Sequence, residues 1–287
     1  MNNAMYEHAA TQENLARLRA RGVTVLEPGT GPLGSPGEFG IGRLPEPPEL
    51  LAAVEDVIQG GGELDGLNVL VTAGGTREPI DAVRFVGNRS SGRMGFALAE
   101  EAKRRGANVT VVAANVSLPR AAGIEYVEVQ TAEELAEACS ARFTACDVLI
   151  MAAAVADYRP SESRAGKLKK DQTGEELNLR LVRTTDVLSM LSDRRRPGQT
   201  LVGFAAEHGD RALEYGREKL ERKQLDAVIV NDVSGAGVGF DAADNEVWIV
   251  TADGERHVPK ASKQRIATAI LDAVLSKASS NNIKVRR

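Results

Sequence analysis

The sequence predicts an α/β fold, a doubly wound and mainly parallel sheet, on three observations. Compact apolar runs read as buried strands, they alternate with segments of helical periodicity, and alternation at that length implies parallel strands with helices on both faces. The chain has 287 residues, 43% of them hydrophobic, which is enough for a sizeable core.

The regular pattern starts at residue 66. Leu67 to Thr72 (LNVLVT) is a buried strand, followed by the Gly-rich turn Ala73-Gly74-Gly75-Thr76. Met94 to Arg105 has helical periodicity, and Asn108 to Ala114 and Ile124 to Val129 are the next strands. The helix Ala132 to Arg142 precedes the strand Asp147 to Ala153. Leu201 to Ala205 and Ala227 to Val230 continue the strand series around a helix from Asp210 to Leu225. Asn245 to Thr251 and the Asp253-Gly254 turn predict an added β-hairpin, and Gln264 to Lys277 a closing helix. Tyr158 to Glu175, rich in Lys and Ser, is the one long irregular stretch and reads as a lid loop.

Residues 1–65 differ. Asn14 to Arg21 predicts a short helix with Leu15 and Leu18 on one face, and Val23 to Leu26 a short strand. PGTGPLGSPGEFGIGRLPEPPE is too rich in Gly and Pro to be expected to hold regular structure. A second helix, 47–59, runs into Gly60-Gly61-Gly62. With too few apolar residues for a core, this part reads as the tail of another domain (1–50) and a linker (51–65). The main domain is then 66–278, with a polar tail at 279–287.

Charge and composition exclude several functions. Lys+Arg 36 against Asp+Glu 40 gives a net charge of -4, so no nucleic-acid partner is expected. The three histidines, His8, His208 and His257, are scattered, which argues against a His-rich zinc site. Two cysteines, Cys139 and Cys146, make no disulfide framework, and no neighbouring His activates either. No apolar run is long enough to span a bilayer, and residues 1–22 lack the apolar core of a signal peptide. A cytoplasmic protein without a membrane partner is expected.

In open parallel sheets ligands bind at the carboxyl ends of strands, where four segments should gather. Residues 72–95 carry Arg77, Arg84, Arg89 and Arg93, with Asn88, Ser90, Ser91 and Gly92 before a helix; helix N-terminal amides plus arginines suit a phosphate. The spacing matches neither G-x-G-x-x-G nor Walker A. In residues 151–160 (MAAAVADYRP) small alanines let a flat group approach the backbone, and Asp157 can hold Mg²⁺ on a triphosphate or cap locally. Lys167-Leu168-Lys169-Lys170 can close over a polyphosphate or lie as a solvated charge run. Lys219 and Lys223, four apart, share a helix face, with Leu213 and Leu220 on another. Thr185-Asp186 can cap a helix, and His208, after GFAAE, reads as a surface residue rather than a general base.

GGTREPIDAVRFVGNRSSGRMG, AAAVADYRP, KLKK and GFAAE, in this order, resemble the phosphopantothenoylcysteine synthetase family, the ligase half of a bifunctional bacterial enzyme. The resemblance covers residues 66 to about 275 and implies a Rossmann-like fold. Met1-Asn2, ENLARLRARG and GRLPEP resemble the end of the other half, a flavin-dependent decarboxylase. The resemblance implies joining of 4′-phosphopantothenate to L-cysteine with CTP, through an acyl-cytidylate, by a homodimer whose lid loops meet across subunits. It implies Mg²⁺ as cofactor, and FMN only where the decarboxylase half is present. No cysteine stands in Leu33 to Gly37 where the decarboxylase lid has one, so decarboxylation is not expected of this chain.

Carried over residue by residue, Asn88 holds the acyl-cytidylate and Lys167 serves activation; these are the candidate catalytic residues. The resemblance gives the nucleotide Met151, Ala152, Ala153, Asp157, Lys167, Thr185, Asp186, Val187, Leu188, Phe204, Lys219 and Lys223, with Asp157 also toward the metal. It gives the acyl substrate Arg84, Asn88, Ser90, Ser91, Gly92, Ala153 and Ala154. Two other readings compete. An NAD(P)-dependent reductase would use Tyr158 near Lys167 but lacks the glycine fingerprint. A non-enzymatic module would bind a flavoprotein through residues 1–60.

Overall fold

The computed structural model describes residues 1–21, 23–34, 37–59, 62–169, 176–207, 211–232 and 244–280. The chain divides into two compact units, Met1–Gly62 and Glu63–Arg287.

The first unit holds helices α1 (Asn3–Glu7) and α2 (Ala9–Ala20), strands β1 (Gly29–Pro32) and β2 (Phe39–Arg43), and helix α3 (Pro47–Gln59). Two expectations are corrected here. Val23 to Leu26 forms no strand; among the described residues no strand pairs with it, and Val23 and Leu26 stay exposed. The Gly/Pro-rich stretch, expected to be irregular, contains an antiparallel hairpin with Thr30 opposite Ile41 and Pro32 opposite Phe39. A two-stranded ribbon has only edges, where Pro is tolerated. Its glycines serve close approach: a Cβ on Gly42 would collide with the Met1 carbonyl, whose residue donates its terminal ammonium to Gly42 O at 3.0 Å.

The second unit is an eight-stranded sheet built from β3 (Asn68–Gly74), β6 (Asn108–Ala114), β7 (Glu125–Val129), β8 (Val148–Met151), β11 (Thr200–Glu207), β12 (Ala227–Asp232), β13 (Asp244–Thr251) and β14 (Gly254–Ser262). Their spatial order is β7-β6-β3-β8-β11-β12-β13-β14. The first six are parallel, and β13–β14 is the expected antiparallel hairpin, joined to β12 with Ile229 opposite Ile249. The chain begins at the centre, winds to one edge, then returns to build the other half. The switch point therefore lies between β3 and β8, where the connections leave to opposite faces.

Strand side chains alternate between two cores. Val69, Val71, Val109, Val111, Ile150 and Ile229 pack under α4 (Arg93–Arg104) and α8 (Lys263–Ser280). Leu70, Val112, Leu149, Leu201 and Val228 pack on the other face under α5 (Ala132–Phe143), α6 (Val187–Ser192) and α7 (Ala212–Arg222). Where both faces are covered, at the centre of the sheet, the strands read as nearly continuous apolar runs.

Two small antiparallel ladders stand outside the sheet. One joins β4 (Arg77–Pro79) to β5 (Phe85–Gly87). The other joins β9 (Tyr158–Pro160) to β10 (Leu181–Arg183), so the segment expected to be irregular begins as a strand. Three-residue ladders give too short a periodic signal to be read from sequence. Among the described residues no helix is long and apolar enough to cross a membrane.

Candidate functional site

At the switch point the loops after β3 and β8 are zipped together. Ala154 N donates to Gly74 O at 2.8 Å and Thr76 N to Ala154 O at 3.2 Å. Two fully buried threonines then fix the alanine loop: Thr72 Oγ1 accepts from Ala153 N at 3.1 Å, and Thr76 Oγ1 from Ala156 N at 2.9 Å. Asn88 Nδ2 donates to Val155 O at 3.0 Å, and Thr184 N to Asp157 O at 3.0 Å. Residues 152–157 are thus held from several sides, with small side chains that leave their backbone open. A cleft lies on either side of them.

The first cleft, of about 430 Å³, is lined by Met151, Ala153, Asp157, Thr185, Asp186, Val187, Leu188, Phe204, Lys219 and Lys223. The sequence fits each part. Asp186 caps α6, accepting from Ser189 N at 3.1 Å, which opens that helix toward the cleft. Lys219, in the last turn of α7, and Lys223, its C-cap, lie one turn apart. Lys219 Nζ donates to Phe204 O at 2.6 Å, and Lys223 Nζ to both Asp186 oxygens at 2.7 Å. Burial alone would raise the Asp186 pKa; the hydrogen bonds from Lys223 and Ser189 outweigh it and hold the carboxyl below its ordinary value. Both lysines are therefore aimed into the cleft rather than into solvent. Leu220 is buried and Leu213 half-buried on the neighbouring face of the helix.

The second cleft, of about 580 Å³, shares Ala153, Val155, Asp157, Phe204 and Lys219 with the first. It adds Asn88, Ser90, Ser91, Gly92, Ala152 and Ala154. Gly92 is the N-cap of α4 in a left-handed conformation, φ 75°, with no side-chain cap. A Cβ there would meet Val116 at 2.7 Å, so the glycine both starts the helix and lets it approach the sheet. The first-turn residues of α4 line the cleft, an arrangement suited to an anion.

Asp157 is an exposed carboxylate on the strip common to both clefts. Among the described residues no three His, Cys, Asp or Glu side chains cluster as a metal site would require. A lone carboxylate fits Mg²⁺ that arrives on a triphosphate, since Mg²⁺ takes few protein ligands beside phosphates and water.

Two candidates stand apart. Arg84 does not line either cleft; its guanidinium pairs with buried Asp81 at 2.5 Å and donates to Leu168 O at 2.9 Å. Leu168 N in turn donates to Asp81 Oδ2 at 3.1 Å. The Arg84 guanidinium holds the Asp81 carboxyl far below the usual range. Lys167 is exposed and outside both clefts, while Leu168 beside it is buried. Lys170, His208 and Asp210 fall outside the described residues. Cys139 and Cys146 are buried and free, and burial pushes both thiols up to about 12, so neither is a nucleophile.

Sequence reasoning missed Val155, Tyr158, Arg183 and Thr184 in the first cleft and Asn231, Asn245 and Lys263 in the second. Asn231 was findable, since it follows AVIV at the carboxyl end of a parallel strand. Asn245 and Lys263 arrive only through the hairpin and closing helix, for which no local motif exists.

Residues 64–277 match the family described as DNA/pantothenate metabolism flavoprotein C-terminal domain. The chain belongs to this family. Its relatives in it include the Coenzyme A biosynthesis bifunctional protein CoaBC of Mycobacterium tuberculosis, 43% identical over 290 residues, 96% of this chain and 69% of the relative. The protein of the same name from Vibrio vulnificus is 40% identical over 274 residues, 96% of this chain and 68% of the relative. Among solved structures, the C-terminal domain of a CoaBC superposes with a TM-score of 0.65 at 34% identity, covering 76% of this chain and 99% of that one. A Cab2 mutant in complex with phosphopantothenate-cysteine shares the fold at TM-score 0.63 and 19% identity, covering 83% of this chain. For this family the missing glycine fingerprint is no defect, and the reductase and non-enzymatic readings lose their ground.

Proposed function

We propose that this chain is the ligase of coenzyme A biosynthesis that joins 4′-phosphopantothenate to L-cysteine using CTP. The observation that carries this reading is the pair of clefts meeting along the alanine loop, one lined by lysines and one by an uncapped helix N-terminus, in a chain of this family. Two anionic substrates must meet, and the shared strip is where they would.

A carboxylate cannot be attacked by an amine directly because oxide is a poor leaving group. The substrate carboxylate first attacks the α-phosphorus of CTP, forming the acyl-cytidylate and releasing pyrophosphate. The cysteine amine then attacks the acyl carbon, and CMP leaves. Both steps need alignment and charge balance more than a protein nucleophile. Lys219 and Lys223 would balance the nucleotide's phosphates, and Asp157 would hold the Mg²⁺ that neutralises the leaving pyrophosphate. Met151, Ala152, Ala153, Thr185, Asp186, Val187, Leu188 and Phe204 would seat the nucleotide. Asn88, Ser90, Ser91, Gly92, Ala153 and Ala154 would hold the acyl chain, Asn88 aligning the acyl-cytidylate.

Arg84 and Lys167 fit this scheme in a homodimer, each reaching the site of a second copy. Exposed Val83, Phe85, Tyr158, Leu177, Leu179 and Leu181 on and beside the outer ladders support such an interface. Residues 1–50 we assign to the end of a flavin-dependent domain, with FMN belonging to that domain alone.

The test is pyrophosphate release with CTP, Mg²⁺ and 4′-phosphopantothenate, with ATP as control. Release that needs the acyl substrate and prefers CTP is expected. Release without it, or equal use of ATP, would remove the ligase or its nucleotide.

A further inference from the structure

Residues 155–157 stand between the two clefts, and all three of their carbonyls are met by donors. Asn88 Nδ2 donates to Val155 O at 3.0 Å, Thr184 Oγ1 to Ala156 O at 2.5 Å and Thr184 N to Asp157 O at 3.0 Å. From β3's side, Thr76 Oγ1 accepts from Ala156 N at 2.9 Å, so two hydroxyls grip one residue by its amide and its carbonyl. Ala156 is only 3% exposed and Thr76 is fully buried. The two side-chain donors divide by cleft: Asn88 lines the second and not the first, Thr184 the first and not the second. Thr184 also leads directly into Thr185 and Asp186, and Asp186 caps α6. The Thr184 hydroxyl therefore ties the wall of the first cleft to the strip that both clefts share.

We propose that Thr184 is a positioning residue for the first half-reaction: its hydroxyl keys the start of α6 to the shared strip and so sets the separation between the nucleotide's α-phosphorus and the acyl carboxylate. This rests on the ligase reading above. Before the first step the reactants are separate molecules on separate walls, and attack needs the reacting atoms about 3–3.5 Å apart. The walls alone decide that separation. Once the carboxylate oxygen has bonded to the α-phosphorus, and pyrophosphate has left with the electron pair of the broken P–O bond, acyl group and CMP are one molecule. The new bond then fixes what the walls fixed before, and the cysteine amine reaches the acyl carbon from outside the pair. Loss of the Thr184 hydroxyl falls on pyrophosphate release and spares acyl-cytidylate breakdown. In this role Thr184 acts through Ala156 rather than on a reactant. Removing the hydroxyl takes a donor from a carbonyl on a nearly buried residue, and the strip must shift toward water to replace it.

The experiment uses the full chain with Thr184→Val, Thr184→Ala and Thr184→Ser, each checked by thermal melting. Pyrophosphate release is followed with CTP, Mg²⁺ and 4′-phosphopantothenate. The second step is followed separately with chemically prepared acyl-cytidylate and cysteine. In Thr184→Val the rate of pyrophosphate release with both substrates saturating should fall roughly 10- to 100-fold, the upper figure being the scale of a misplacement of about 1 Å. The KM values for CTP and the acid should change about threefold or less, because an interaction that serves only the transition state leaves ground-state binding in place. The acyl-cytidylate should be consumed at the wild-type rate. Thr184→Ser, which restores the donor, should recover most of the loss. Thr184→Ala removes the same hydroxyl and carries the test if Thr184→Val does not fold. Equal slowing of both steps would make Thr184 a general support of the strip and overturns the proposal. So does a raised KM for CTP at unchanged rate, an unchanged rate with unchanged KM, or no recovery in Thr184→Ser. If the wild-type chain releases no pyrophosphate, the ligase reading falls and takes the proposal with it; wild-type release matched by Thr184→Val sinks the proposal alone.

Discussion

The cleft walls and the outer ladders use the same residue types but hold them differently. In the first cleft Lys219 and Lys223 are tied to a carbonyl and a carboxylate on neighbouring elements, so their charge is in place before a ligand arrives. Among the outer ladders, the anchored atoms are the Leu168 backbone and the Arg84 guanidinium, while Lys167 extends into solvent. Fixed charge suits ground-state binding; a lysine on an anchored but exposed segment suits contact that forms only when something closes over the site.

That contrast separates binding from chemistry. Lys167→Gln should lower kcat for pyrophosphate release by roughly 10²–10³, the scale for removing a charge that acts on the transition state, with little change in CTP affinity. Mixing Lys167→Gln chains with Asn88→Asp chains should restore part of the activity if each lysine serves the second copy. No recovery on mixing would place Lys167 in its own chain's site. Asn88→Asp alone should slow the second step, leaving acyl-cytidylate visible by mass spectrometry.

Lys223→Ala should act on binding instead. It removes a cation from the first cleft and leaves Asp186 unpaired, so the KM for CTP should rise roughly tenfold or more while kcat falls less. A kcat loss as large as that of Lys167→Gln would erase the distinction between the two regions.

The centre of the sheet was legible because its strands there are buried on both faces and therefore largely apolar, as LNVLVT and NVTVVAA show. The clefts were legible where short motifs follow those strands. What sequence could not show depends on chains meeting late. Lys263 sits 171 positions from Gly92 in no motif, and the β9–β10 ladder closes over more than twenty residues with three pairs. Nor did composition betray the β1–β2 hairpin, where glycines signal close approach rather than irregularity.

Gly95→Ala probes the rigid side of the comparison. A Cβ there would stand 2.6 Å from Ala73 Cβ and 2.9 Å from Thr72 O, both parts of the central strand. α4 would have to lift from β3, costing about 1–3 kcal/mol of stability, seen as a lower midpoint in urea. Because Thr72 also fixes the alanine loop, activity should fall further than stability alone explains.

Asp81→Asn probes the anchored side, with the smallest effect. Asp81 accepts five hydrogen bonds: from Val83 N and Arg84 N on Oδ1, and from Arg84 Nε, Arg84 Nη2 and Leu168 N on Oδ2. An amide has one oxygen, so one set of donors would face an NH₂ group. Protection of the Leu168 amide against hydrogen exchange should fall about tenfold, with the global unfolding midpoint nearly unchanged. The sign of the pH dependence follows from the lowered pKa. A carboxylate held below its ordinary value contributes fully above the ordinary range and loses that contribution only as pH falls through it toward the folded value. In the wild-type chain Leu168 protection, corrected for intrinsic exchange, should therefore stay flat from pH 5 to 8. A decline inside that window would mean that Asp81 titrates there and that the anchor of the Lys167 segment is weaker than its five hydrogen bonds imply.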